Sequence, residues 1–199
     1  MPILYHVPII HSIEDYGSLG SAIKEAFVRQ AGEDFFVHLQ ENIKEYWQIV
    51  EERIGKMIPD VAGLIIYHDG FPVGDREKIL ALFGFMCQDH PESSNFRLIK
   101  KLVAKGAVLE GTEDMSLVIA HMQLYQRAAE ATTAEEQKKI LTSQAARSLE
   151  ITRLRDEFIA RRINDTLPES GKGILFIGRD HDVITELKKL PRKFTVIYL

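Results

Sequence analysis

Cysteine is nearly absent. Cys87 stands alone in 199 residues, so the chain cannot close a disulfide on itself. A reducing compartment fits that usage, and the expected location is cytoplasmic. Cys87 lies among Leu82, Phe83, Phe85 and Met86 in a helical pattern, which reads as a buried thiol, with a nucleophile as the alternative. Long apolar runs are missing too. No window approaches the roughly 18 consecutive apolar residues of a membrane span. The opening Met1–Ile10 lacks the basic region and small-residue cleavage site of a secretory signal, so no membrane association is expected. Neither sign of charge dominates: 25 Lys and Arg stand against 29 Asp and Glu, a net charge of −4. That balance provides no field for nucleic acid or an anionic membrane.

Several familiar motifs are also absent. Gly171-Lys172-Gly173 is not a phosphate loop, because Gly-x-x-x-x-Gly-Lys-Ser/Thr does not occur. There is no Gly-x-Gly-x-x-Gly after a strand, no Gly-x-Ser-x-Gly elbow, no His-Glu-x-x-His and no Cys-x-x-Cys. What is present is an ordinary globular composition, 45% hydrophobic and 27% charged. At this length it suits a single domain, 1–199, with a core that needs no covalent staple.

The pattern along the chain alternates. Ile3-Leu4-Tyr5 and Val7-Pro8-Ile9-Ile10 read as an opening strand, which Pro8 confines to a sheet edge or ends. Gly17 to Gln30 looks helical. Phe35, Phe36, Leu39, Ile43, Tyr46, Trp47, Val50 and Ile54 recur at steps of three and four and form one stripe of a long helix, stopped by Pro59. Leu64-Ile65-Ile66-Tyr67 then reads as a buried strand. A helix from about Asp75 to Gln88 follows, then one carrying Phe96, Ile99, Leu102 and Val103 that Gly106 closes. Ala107-Val108-Leu109 is a third strand, before a helix from about Met115 to Ala129. Thr132 or Thr133 with Glu135 or Glu136 makes a capping box for a helical stretch reaching Leu167. Its length predicts a break near Thr142-Ser143. Ile174 to Ile177, a ten-residue helix, and a last strand from Phe194 to Tyr198 complete the order. This is an α/β pattern: a mostly parallel sheet of about five strands covered by helices, some of them long.

Three strands run into residues capable of chemistry. In a parallel sheet their C-terminal ends share one edge, where open α/β folds bind ligands. The first ends in His68-Asp69-Gly70, either a site histidine able to act as base, acid or metal ligand, or the close of a turn. The second ends in Glu110-Gly111-Thr112-Glu113-Asp114. Here Glu110 reads as a site carboxylate, whereas Glu113 and Asp114 read as helix caps. The third ends in Gly178-Arg179-Asp180-His181-Asp182, with His181 at a helix start whose N–H groups favour an anion or oxyanion, and Asp180 a possible cap. Arg155, Ile159 and Arg162 share a helix face just before that strand, and Arg155 is suited to hold a carboxylate or phosphate. His11-Ser12 with Asp15 is a weaker candidate for the same edge, as is His6. His38, His90 and His121 read as structural or solvated.

The segment from Arg155-Asp156-Glu157-Phe158-Ile159-Ala160 to Gly178-Arg179-Asp180-His181 resembles the C-terminal half of the TraB, ChaN and erythromycin-esterase-like superfamily. In that superfamily an Arg-Asp or Arg-Asn helix precedes an apolar strand ending in Gly-x-x-His. The resemblance implies functional positions at Arg155 and His181, a mid-chain acid at Glu110, and hydrolysis, metal dependent in some members, or haem-related binding. Where the superfamily has Gly-Glu or Gly-Thr leading to a histidine, this chain has Ile66-Tyr67-His68-Asp69-Gly70. As a whole the chain is similar to a group of prokaryotic proteins.

The residues and the resemblance together predict a hydrolase of ester or peptide bonds in a small-molecule or peptide substrate. His68, Glu110 and His181 form its catalytic group and, with a divalent metal as candidate cofactor, its metal ligands. Arg155, Asp69, Asp180 and Arg179 are the predicted substrate-binding residues. The rival is a non-catalytic sensor for a small anion or nucleotide. The helix bearing Phe35, Tyr46 and Trp47 is a candidate homodimer face. The catalytic reading requires that the side chains of His68, Glu110 and His181 converge.

Overall fold

The computed structural model describes the chain except for Thr132 and the side chains of residues 17–19 and 129. In chain order the elements are β1 (Ile3–Ile9), a 3-10 helix (Ile13–Leu19), α1 (Gly20–Ala31), α2 (Glu33–Met57), β2 (Ile65–His68), α3 (Arg76–Asp89) and α4 (Ser94–Ala104). They continue with β3 (Val108–Glu110), α5 (Met115–Ala129), α6 (Ala134–Thr166), β4 (Lys172–Gly178), α7 (Val183–Lys189) and β5 (Thr195–Tyr198). The five strands form one sheet in the order β3-β2-β4-β1-β5, every pair parallel. The expected α/β fold with a parallel sheet and long helices is what forms. Among the described residues no helix is long and apolar enough to cross a membrane.

The pleat sorts side chains between two helical layers, because successive residues of a strand face opposite sides. Tyr5, Val7, Ile9, Ile66, Leu109, Ile174 and Phe176 pack with Ile43, Trp47, Val50 and Ile54 of α2, Phe83 of α3, and Phe96 and Ile99 of α4. Leu4, Tyr67, Leu175 and Ile177 pack on the other face against Ile159, Ala160 and Ile163 of α6 and Val183, Ile184 and Leu187 of α7. Burying each such side chain contributes roughly 1.5–3 kcal/mol.

Some expectations are corrected. Pro8 lies inside β1, and β1 sits between β4 and β5 rather than at an edge. The carbonyls of Pro2 and His6 face β5, accepting from Thr195 and Leu199 N–H. Pro8 therefore turns its nitrogen to the same side, past His6–Tyr198, the last paired residues of β1 and β5. No ladder bond is lost there. The break expected near Thr142-Ser143 does not occur; α6 is continuous, and both hydroxyls bond back to carbonyls one turn earlier, at Lys138 and Ile140. Thr133 caps α6 by accepting from the Glu136 N–H, and the Thr132 alternative falls outside the described residues. The helix after β4 has seven residues, not ten. The proposed dimer stripe is largely core: Trp47 is buried and donates to the Ile10 carbonyl, and Tyr46 donates to that of Pro8, leaving only Phe35 of the three exposed.

One close approach fastens the site's scaffold. The loops after β2 and β3 meet where Thr112 and Glu113 N–H both donate to the Phe71 carbonyl at 2.9 Å and Val73 N–H donates to that of Glu113. A Cβ on Gly111 would lie 2.2 Å from the Pro72 oxygen. Gly111→Ala must push these loops apart. Denaturant unfolding should show a loss of about 2–3 kcal/mol, at the upper end for overpacking.

Candidate active site

The C-terminal ends of β1, β2, β3 and β4 lie in line, with Ile9 opposite Gly178, His68 opposite Phe176 and Tyr67 opposite Glu110. Beyond them the chain is stitched by polar contacts. Asp69 donates its N–H to the Phe176 carbonyl, and its Oδ2 accepts from Gly178 N–H at 2.8 Å. Gly70 takes the turn with φ of 86°, which favours glycine. Thr112 Oγ1 donates to the His68 carbonyl at 2.6 Å.

Helix α6 crosses this edge. Its stripe of Ser148, Thr152, Arg155, Asp156, Ile159 and Ile163 repeats at steps of three and four, apolar where it covers the sheet and polar where it passes the strand ends. Asp156 and Glu113 are buried carboxylates, 5% and 1% exposed. Such charges persist only with partners. Asp156 Oδ1 lies 2.5 Å from His181 Nδ1, and Oδ2 accepts from Asp182 N–H at 2.8 Å. Glu113 is clasped by Arg155 through two parallel hydrogen bonds, Nε to Oε2 at 3.1 Å and Nη2 to Oε1 at 2.5 Å. Arg155 Nη1 in turn lies 3.2 Å from His121 Nδ1, and His121 Nε2 lies 2.9 Å from Ser148 Oγ. Burial, then the neighbouring Arg155 and His181, hold the His121 pKa below its ordinary value.

Arg155, His181, His121 and Ser148 border a cleft of about 710 Å³. Its floor is Asp69, Arg155, Gly178 and His181; Arg179 and Asp180 join it from the loop after β4, and His121, Tyr125, Ser148, Leu149 and Thr152 line it from α5 and α6. His11 and Tyr16 line it from the segment after β1. His181 offers the cleft a usable nitrogen, since its Nδ1 is engaged by Asp156 and Nε2 has no hydrogen-bond partner among the described residues.

Of the predicted group, His181, Arg155, Asp69, Asp180 and Arg179 all line this cleft. His68 and Glu110 do not join them. His68 shares the pleat face of Ile66, so its ring lies in the core beside Phe71, Phe96 and Phe176. Nδ1 donates to the Asp69 carbonyl, and Nε2 accepts from Asn95 Nδ2 at 2.9 Å, leaving neither nitrogen free. Glu110 pairs with Arg162. The expected convergence of His68, Glu110 and His181 is therefore corrected. Among the described residues no three His, Cys, Asp or Glu side chains are placed to hold a metal ion. The anion site expected at the helix after His181 is likewise taken, since Asp182 caps α7 through Thr185 N–H and Asp156 occupies Asp182 N–H.

Sequence reasoning missed Asp156, Glu113 and His121. A carboxylate at the register of Ile159 and Ile163 was the legible sign of Asp156. Glu113 passed for a cap because Asp114 beside it is one, accepting from Ser116 N–H. Nothing local marks His121, which sits on an α5 face of otherwise half-exposed residues. Comparison with family models, curated proteins and solved structures gives no match for this chain.

Two outcomes test the electrostatics. Glu113→Gln strands a buried guanidinium and should cost about 3 kcal/mol in denaturant unfolding. Burial lowers the His68 pKa from its ordinary 6.5. Below that value the unfolded chain binds a proton that the native chain refuses, so His68 makes the fold less stable as the pH falls. His11 acts oppositely: its hydrogen bond to Asp15, the largest influence, raises its pKa. The His11 contribution is present below 6.5 and lost as the pH rises through its folded value. Comparing wild type with His68→Gln isolates the buried ring: the advantage of the wild type should shrink between about pH 7.5 and about pH 5.5.

Proposed function

We propose that this chain is a hydrolase of ester or peptide bonds in small-molecule or peptide substrates, with His181 as general base. The observation that carries the reading is the 2.5 Å contact between Nδ1 of His181, which lines the cleft, and the buried Asp156 carboxylate. A carboxylate only accepts, so the proton of neutral His181 sits on Nδ1 and the lone pair on Nε2. This is the tautomer a general base needs.

Nε2 takes a proton from a water molecule as its oxygen adds to the substrate carbonyl carbon. The carbonyl electron pair moves to oxygen, giving a tetrahedral intermediate, and Asp156 stabilises the imidazolium. Collapse re-forms the carbonyl, breaks the bond to the leaving oxygen or nitrogen, and returns the Nε2 proton to that atom. Arg155 is a positioning residue in this scheme, because Glu113 and His121 occupy its guanidinium. The similarity of the Arg155–His181 segment to the TraB, ChaN and erythromycin-esterase-like superfamily supports the same reading. The anion-sensor alternative is left chiefly with Arg179, for which Arg155 is no longer a free partner.

A panel of chromogenic esters and peptides tests this directly. His181→Ala should bring turnover to background. Asp156→Asn, which presents a donor to Nδ1 and favours the wrong tautomer, should lower kcat by about 10³–10⁴-fold. Full turnover in His181→Ala would overturn the assignment. Ligand-induced thermal stabilisation by small anions, with no turnover of any panel member, would favour the sensor.

A further inference from the structure

Ser148 and His121 stand 2.9 Å apart in the same cleft, a spacing that suggests a serine nucleophile and its base. The wiring behind them says otherwise. Arg155 only donates hydrogen bonds. Its Nη1 lies 3.2 Å from His121 Nδ1, so that nitrogen must be the acceptor and carry the lone pair. The proton of neutral His121 is then on Nε2, and Nε2–H donates to Ser148 Oγ. The ring has no lone pair left with which to take the serine proton. Glu113, with its side chain fully buried, fixes Arg155 through both carboxylate oxygens and so sets the direction of the whole chain.

Each link therefore donates toward the cleft: Arg155 to His121, His121 to Ser148. The serine oxygen accepts, and its own hydrogen is left over; no acceptor for it occurs among the described residues. Protonation of His121 would set a second cation against Arg155, which agrees with its lowered pKa.

We propose that Ser148 is a hydrogen-bond donor to the substrate's carbonyl oxygen, aimed by the Glu113–Arg155–His121 relay, and that it is not a nucleophile. The inference rests on the hydrolase reading, in which His181 drives water onto the carbonyl carbon. As that carbon becomes tetrahedral its oxygen gains negative charge, and a preoriented hydroxyl strengthens its hydrogen bond at that moment. No bond to Ser148 forms, and no proton leaves it.

The test combines kinetics with a readout that needs no substrate. With an ester that the wild type hydrolyses, Ser148→Ala should lower kcat by about 10²-fold or more with KM nearly unchanged. Ser148→Thr, which keeps a hydroxyl, should recover most of it. A fluorophosphonate probe should leave Ser148 unlabelled. Long-range ¹H–¹⁵N spectra of the imidazoles, with His121 assigned by its disappearance in His121→Gln, should show a neutral ring protonated on Nε2. Unchanged kcat in Ser148→Ala, probe labelling of Ser148, or a proton on Nδ1 of His121 would each overturn the donor role while leaving His181 as base. A wild type that turns over no ester or peptide would overturn the hydrolase reading and, with it, the catalytic role of Ser148.

Discussion

Arg155 and Asp156 are adjacent on α6 where the helix crosses the ends of the strands, and both are taken largely out of water. Neither charge is stable there alone. Arg155 requires Glu113, which ties α6 to the loop after β3; Asp156 requires His181 and the Asp182 N–H, which tie it to the loop after β4. Two loops from different parts of the sheet are thus drawn to one turn of one helix. The cleft is the space that this arrangement leaves.

The same compensation explains why the polar groups are directional. A buried carboxylate that only accepts selects Nδ1–H on His181, and a guanidinium that only donates selects Nε2–H on His121. When neutral, the two histidines of one cleft thus take opposite tautomers: His181 with its lone pair on Nε2, His121 with its hydrogen there, donated to Ser148. Their difference comes from their partners, since the rings are chemically identical.

Much of the fold was legible in the chain. The steps of three and four in α2, the cap at Thr132 or Thr133, realised by Thr133, and the short β-branched strands are local signals, and local physics decides them. Even the edge that bears the cleft could be read, because parallel strands must align their C-terminal ends. The misplacement of His68 has a geometric source. His68 and Asp69 are neighbours in the chain, but the pleat sends them to opposite faces: His68 with Ile66 into the aromatic core, Asp69 with Tyr67 toward α6. A reading by segment could not separate them.

By itself, then, the amino-acid sequence determined the elements, their order, the parallel sheet and the placement of Asp69, Arg155 and His181 at the edge that bears the cleft, because periodicity and strand ends are properties of short segments. Only the tertiary structure decided which ionisable groups meet. Asp156 finds His181 across 25 residues, Arg155 finds Glu113 across 42, and Arg155 finds His121 across 34. Such pairings follow from how far α6 reaches over the sheet and which of its faces is buried. Those are set by the packing of the whole core, and no segment of the chain encodes them alone.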